Sequence, residues 1–368
     1  MNILIFLGVI LVIVLAHELG HFLTAKKFGV RVDEFGFGFP PKLFGKKFGE
    51  TLYSFNLFPI GGFVKIFGET LDEESMSGPD SKRSFIHKPK WAQAIILVSG
   101  IVFNLLLAWM LIIFVTTIGA PYSQLGEIPK GSVVLEEPQT TIIYVEPNFP
   151  ANKAGLLAGD KIIALQVGDD KIADNLTVEQ VQQFIQKNSA EEILLTYNRN
   201  ADITNTVKVT PITMTDFDHP ALGIMMDEIG IIKLPFHRAI LEGTKTTILF
   251  IKEITIGLIG FFQSIIIGQA DFGAVAGPIG IAGIVGDAAT VGVASLMILV
   301  AAISINLALI NLLPFPALDG GRLLFVLIEA IIKKPIKPQI ANAVNFAGFA
   351  FLLLLMIVIT YKDIVKLF

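Results

Sequence analysis

Cysteine is absent from the 368 residues, so neither a disulfide framework nor a thiolate metal site can exist, and any transition metal must be held by histidine and carboxylate. Charge is scarce as well. Asp, Glu, Lys and Arg make up 16% of the chain and hydrophobic residues 53%, whereas a soluble domain is about a quarter charged. That balance excludes an ordinary water-soluble globule, and a net charge of −4 offers no basic surface for nucleic acid, so no nucleic acid partner is expected. Histidine is rare too, five in all, which gives weight to any place where two of them stand together.

What the chain has in abundance is apolar sequence. The runs from Asn2 to Ala16, Trp91 to Ile118, Leu296 to Leu313 and Ala347 to Thr360 each approach, with their flanks, the roughly 20 residues that cross a bilayer core. They predict a polytopic α-helical membrane protein with about four transmembrane helices. Basic residues from Lys26 and Lys27 through Lys46 and Lys47 to Lys88 and Lys90 lie between the first two runs. Arg322, Lys333, Lys334 and Lys337 lie between the last two. Both segments are therefore expected in the cytoplasm, and the acid-rich segment from Gly119 to about Thr290 outside, as is the N-terminus. The first run lacks the basic start and small-x-small cleavage site of a signal peptide and leads directly into His17 and Glu18, so it reads as a retained span.

A further apolar stretch, Thr246 to Gly268, is interrupted by Lys252 and Glu253. A span there would bury that pair at the bilayer centre and send Asp319 to the membrane side opposite His17. An interfacial amphipathic helix avoids both.

Four regions follow. Residues 1–118 form an N-terminal membrane half, in which Val32 to Phe67 carries strand and turn chemistry: alternating polarity punctuated by Gly36, Gly38, Pro40, Pro41, Pro59, Gly61 and Gly62. Residues 121–212 read as a small α/β-type domain, with β-branched runs at Thr140 to Val145 and Ile193 to Tyr197 and an amphipathic helix at Thr177 to Lys187. Lying between two spans, it belongs outside. Residues 213–290 read as a linker with interfacial amphipathic helices, and residues 291–368 as the C-terminal membrane half.

The chemistry concentrates in His17-Glu18-Leu19-Gly20-His21. Four residues of helix turn about 400° and put both imidazoles on one face, about 6 Å apart along the axis, which is the bite of a zinc ion. Glu18 can take a proton from the attacking water and return it to the leaving amine. From the composition, a chance His-Glu-x-x-His is expected roughly 0.003 times in such a chain. Two histidines leave a zinc site one protein ligand short, and the third must be His, Asp or Glu. His87, His219 and His237 lie in polar segments and read as surface residues. Asp319 ends Asn311-Leu312-Leu313-Pro314-Phe315-Pro316-Ala317-Leu318-Asp319-Gly320-Gly321, where two prolines break a span and two glycines allow close backbone approach. Broken helices at membrane depth occur around cavities and sites. The competing reading of Asp319 is the N-cap of a helix from Arg322 to Ile332.

HELGH at the end of the first span and NLLPFPALDGG near the end of a later one resemble the site-2 protease family of intramembrane zinc metalloproteases, in particular its bacterial regulator of sigma-E protease branch. The resemblance covers nearly the whole chain. It implies that His17, His21 and Asp319 hold Zn2+ and that Glu18 is the catalytic glutamate. Ser99-Gly100-Ile101-Val102-Phe103-Asn104 is similar to a second-span Gly-Pro-x-x-Asn pattern, with Ile101 in place of the proline, so Asn104 and Asn311 would face substrate. Tyr53 to Gly68 resembles the family's membrane-reentrant β-hairpin, in which Gly61, Gly62 and Phe63 would lie on the edge that pairs with an unwound substrate. Asn148 to Asp160 resembles the signature of a PDZ domain, with Phe149 in place of a small residue, implying an inserted external PDZ-like domain with a peptide or strand as ligand. Gly277-Pro278-Ile279-Gly280 is similar to a loop preceding the third span. The implied substrates are single-span membrane proteins, such as anti-sigma factors or remnant signal peptides, and the implied location is the bacterial inner membrane with the active site toward the cytoplasm. Two other classes use the same residues: a transporter with a proton relay along a broken helix, for which no inverted repeat is evident, and a silent scaffold, against which an intact Glu18 argues.

Overall fold

The computed structural model describes residues 2–69, 73–123, 128–199, 203–213, 220–269 and 275–365. His219 lies outside them. The chain opens with helix α1 (Asn2–Lys27), followed by strands β1 (Val32–Phe48) and β2 (Thr51–Ile66), a short α2 (Glu73–Ser77) and the long α3 (Lys90–Ile118). Then come β3 (Ala120–Ser123), β4 (Val133–Val145), α4 (Pro150–Lys153), β5 (Lys161–Val167), β6 (Asp170–Ala173), α5 (Val178–Lys187), β7 (Ile193–Arg199) and β8 (Ile203–Val209). Short β9 (Ile212–Thr213) and β10 (Pro220–Ala221) precede β11 (Ile224–Lys233). The rest is helical: α6 (Phe236–Ile267), α7 (Pro278–Val291), α8 (Val293–Leu312), α9 (Asp319–Ile332) and α10 (Pro338–Val365). Contacts group these elements into two units, one of residues 1–111, 246–284 and 300–368, the other of residues 112–245 and 285–299.

Among the described residues five helices are long and apolar enough to cross a membrane: α1, α3, α6, α8 and α10. The protein is a multi-pass membrane protein. Four of these helices contain the runs expected from the sequence. The fifth, α6, is an unbroken helix of 32 residues that begins ten residues before the apolar stretch at Thr246.

In the first unit, β1 and β2 form a long antiparallel hairpin that folds over on itself, since Phe35 pairs with Val64 on one side and with Tyr53 on the other. Phe37 stacks on Phe55 at 4.5 Å and Phe55 on Phe44 at 4.8 Å, so one ladder of rings runs across three passes of the strand. The base of the hairpin is fixed by ion pairs. Arg31 binds Asp33 and Asp80 at 2.8 Å each and lies over the Phe67 ring at 3.6 Å. Hydrogen bonding from Lys26, aided by Arg83, holds the Glu50 carboxyl below its ordinary range despite partial burial. Ala25, Val32, Ile66, Phe85, Ile96 and Val326 close the core beneath.

The second unit is a seven-stranded sheet, in the order β3-β11-β4-β5-β7-β8 with β6 on β5. Ile142, Leu156, Leu165, Phe184, Ile193 and Leu195 form its core with α5. Thr177 caps α5 in a reciprocal pair with Gln180. The sheet runs past residue 212: β11, antiparallel to β4 from Ile224 to Lys233, lies where a linker was expected. Its sequence, IMMDEIGIIK, lacks the period-2 alternation that announces a half-buried strand. Arg199 grips buried Asp160 with two bonds of 2.7 and 2.6 Å, and Asp160 in turn accepts the Leu157 N–H at 2.8 Å. Removing the cation strands a buried carboxylate, so Arg199→Met is expected to lower the stability of this unit by about 3 kcal/mol in a thermal or denaturant melt.

Candidate active site

Helix α1 has no polar face until its second half, where His17, Glu18 and His21 fall within two turns. Both imidazoles are buried, His17 Nε2 and His21 Nε2 lie 3.2 Å apart, and Asp319 Oδ2 is 3.0 Å from the first and 3.2 Å from the second. Zinc bonds of about 2.0–2.1 Å to N and O at tetrahedral angles put ligand atoms about 3.3 Å apart. Three donors held in an almost equilateral triangle of nearly that side fit one zinc ion, with a fourth position left for water. Among the described residues this is the one group of three such side chains able to share a metal.

The ring orientations are set from behind. His21 Nδ1 donates to the Ile96 carbonyl at 2.8 Å, which leaves Nε2 with its lone pair facing the triangle. The Asn104 amide lies 3.4 Å from His17 Nδ1, while Asn104 Oδ1 is buried without a partner. A histidine that gives Nε2 to a metal carries its proton on Nδ1. An amide turned by 180° presents Oδ1 to that proton and satisfies both groups. Asn104 thus sits behind a ligand, a role that spacing alone does not reveal. Ser304 on α8 donates to the Asn104 carbonyl at 2.9 Å, which ties α3 to α8 at this level. Helices α1 and α3 cross backbone to backbone here: a carbon added at Gly20 would lie 2.4 Å from the Ser99 oxygen, and one at Gly100 would lie 2.3 Å from His21 Nε2.

Asp319 arrives on a broken helix. α8 ends at Leu312, Pro314 and Pro316 prevent its continuation, and α9 begins at Asp319. The N-cap of α9 is Leu318, with no side-chain cap bond. Asp319 is therefore not the cap, and its carboxylate is free to turn to the histidines. Gly320 and Gly321 let the first turn of α9 lie against the break, where added carbons would come within 2.2 Å of the Leu313 and Phe315 oxygens. Ala317 is held in the left-handed region at φ 75°, a conformation that costs about 1–2 kcal/mol. Its N–H donates to Asn345 Oδ1 of α10 at 3.3 Å. Asn345→Leu removes that acceptor, and the expected result is zinc loss to a chelator and a cleavage rate each worsened about 10-fold. Adding Ala317→Gly, which relaxes the φ requirement, should recover part of both.

Glu18 projects beside the two histidines, and its carboxylate faces the Val64 backbone N–H. The last strand of the hairpin thereby touches the candidate base. Carbons added at Gly61 and Gly62 would meet Val14 and Leu15 of α1, in the turn before His17, while the Phe63 ring covers Gly36 of β1. Asn311 lies partly buried at the end of α8 and makes no side-chain hydrogen bond with the described residues. His87 bonds the Ser81 carbonyl at 2.8 Å, and exposed His237 stands at the start of α6, outside the group of three.

A family model described as "Peptidase family M50" matches residues 5–355. The chain belongs to peptidase family M50. This M50 chain is 35% identical over 355 residues to a Clostridium perfringens protein named "Putative zinc metalloprotease", covering 96% of the chain and 95% of that protein. A Clostridium acetobutylicum protein of the same description is 34% identical, with 96% and 94% covered. "Zinc metalloprotease RasP" of Geobacillus kaustophilus is 30% identical over 446 residues, with 100% and 98% covered.

Proposed function

We propose that this M50 peptidase is an intramembrane zinc endopeptidase that hydrolyses peptide bonds within the spans of single-span membrane proteins, using His17, His21 and Asp319 as metal ligands and Glu18 as general base and acid. The observation that carries the reading is the convergence of three ligand atoms from positions 17, 21 and 319 to within 3.2 Å of one another. Its relatives' names specify zinc, and the all-nitrogen-and-oxygen donor set suits that ion. When bound, zinc supplies Lewis acidity at the scissile carbonyl and makes water a competent nucleophile at neutral pH. Glu18 takes the proton released by the attacking water and delivers it to the leaving amine. Asn104 and the Ile96 carbonyl keep the two imidazoles in the tautomer that the metal needs.

A helical substrate has its backbone bonds satisfied internally and must be unwound before it is cut. The Gly61–Val64 strand, which faces Glu18 at Val64, can receive the unwound segment as an added strand.

Four spans with α6 at the interface make the topology consistent. Lys90 at the start of α3 pairs with Glu329 near the end of α9 at 2.5 Å, so both belong to the basic, cytoplasmic side. α10 then crosses outward and ends with Asp363, whose carboxylate accepts the Gly280 N–H in the first turn of α7 at 2.8 Å. The start of α7 is thus on the outer side. So is the start of α6, because Leu234 bonds the Thr116 carbonyl at the outer end of α3 at 2.8 Å. A single crossing by α6 would part these two ends, and the short connection to α7 would have to recross the lipid. α8 then runs inward and delivers Asp319 to the depth of His17.

The sheet unit is read as a PDZ-like domain outside the cell. β3 pairs with β11 only at Ile229–Ile232, which leaves the Ile224–Glu228 edge open beside α5 among the described residues. That edge, entered through Gly223 at φ 77°, suits an added peptide strand.

The test is cleavage of a single-span reporter in proteoliposomes, with the products sequenced. New termini inside the reporter's span are expected. Termini only in its water-exposed flanks would overturn the reading.

A further inference from the structure

Arg322 is the one cation in α9, DGGRLLFVLIEAII, whose other charges are Asp319 and Glu329, and an ionisable group beside a membrane-embedded site is expensive unless it has work and a partner. Its partner is Glu69. Glu69 follows β2 by three residues, and the turn that carries it is tied down: Glu69 N–H bonds the Ile66 carbonyl at 3.2 Å, Phe67 N–H bonds Arg31, and Phe85 N–H bonds Phe67, the last two at 2.9 Å. Gly68 packs against Ser84 so closely that a side chain there would collide with it. At the other end of the pair, Arg322 is three residues after Asp319 on α9, hence on the same face and one turn above it.

We infer that the Glu69–Arg322 ion pair is a latch that fixes the turn bearing Asp319 to the end of the hairpin strand touching Glu18, and that Arg322 is a positioning residue for the metal site. One strand then makes two contacts with the site: Val64 to Glu18 and, three residues past its end, Glu69 to the helix of the third ligand. The hairpin edge offered to substrate and the ligand triangle hold a single register. Opening the latch frees the first turn of α9 to drift, and the triangle loosens from its Asp319 corner. Lysine at 322 keeps the charge but lacks the planar fork of donors.

This inference rests on Asp319 being a zinc ligand, so Asp319→Ala is measured alongside as a control. Arg322→Gln and Glu69→Gln should each release zinc to a chelator about 10-fold faster and cleave about 10-fold more slowly than wild type. The charge swap Glu69→Arg/Arg322→Glu should recover most of both losses. Wild-type zinc release and cleavage in the neutral variants, or a swap no better than its singles, would each overturn the latch. If Asp319→Ala itself kept zinc and activity, the ligand assignment would be at fault instead.

Discussion

Glu18→Gln is expected to bind zinc with wild-type stoichiometry and to cleave a single-span reporter at least about 10³-fold more slowly. Glu18 is absent from the triangle formed by His17, His21 and Asp319, so losing its charge leaves the metal donors in place. What it removes is the proton acceptor for the attacking water and the donor for the leaving amine. Glutamine keeps the size of the side chain and can still face the Val64 N–H, so the hairpin keeps its place and substrate binding should change little. The loss is therefore expected in kcat rather than in KM. The check is a pair of measurements on one purified sample: zinc content by elemental analysis and single-turnover cleavage. Loss of zinc together with activity would instead make Glu18 a ligand or a structural group.

The second large effect is steric and lies away from the HELGH motif. At Gly100 an added methyl would sit 2.3 Å from His21 Nε2 and 2.7 Å from His17 Cε1, both on the metal-facing side of the rings. Relief by moving α3 is blocked, because Ser99 is already in backbone contact with Gly20. The imidazoles must give instead. A displacement near 1 Å in a catalytic group costs about 100-fold, so Gly100→Ala should lower cleavage by about that factor or more and weaken zinc binding in parallel. Gly257 on α6 has open space around it, and Gly257→Ala serves as a control expected to leave both properties unchanged. A Gly100→Ala protein with normal zinc affinity would contradict the close approach of the two helices.

Much of the site could be read without coordinates, for a physical reason. The i, i+4 spacing of His17 and His21 fixes their geometry as soon as the segment is helical, and an apolar run settles that. Asp319 stood out because prolines and glycines around a lone carboxylate in apolar sequence are costly unless used. What resisted reading are pairs that only tertiary folding creates. Asn345 behind Ala317, Arg199 on Asp160 and Glu69 on Arg322 are separated by 28, 39 and 253 residues and carry no local signature. Asn104 was picked out as a polar group facing substrate, yet its amide lies against the far nitrogen of His17. β11 was passed over for want of alternation, and α6 stayed ambiguous because length and hydropathy do not distinguish a crossing helix from one lying flat. The bond between Asp363 and Gly280 ties the start of α7 to the last turns of α10, and the interfacial reading of α6 proposed above is built on it.

The most direct test of the central claim, one zinc held by these three side chains, is X-ray absorption at the zinc edge on the purified chain. The expected spectrum has one zinc per chain with two imidazole nitrogens and light oxygen donors at about 2.0–2.1 Å, and zinc content should collapse in His17→Ala, His21→Ala and Asp319→Ala while persisting in Glu18→Gln. A spectrum with fewer than two imidazoles, or undiminished zinc in the Asp319 variant, would contradict it.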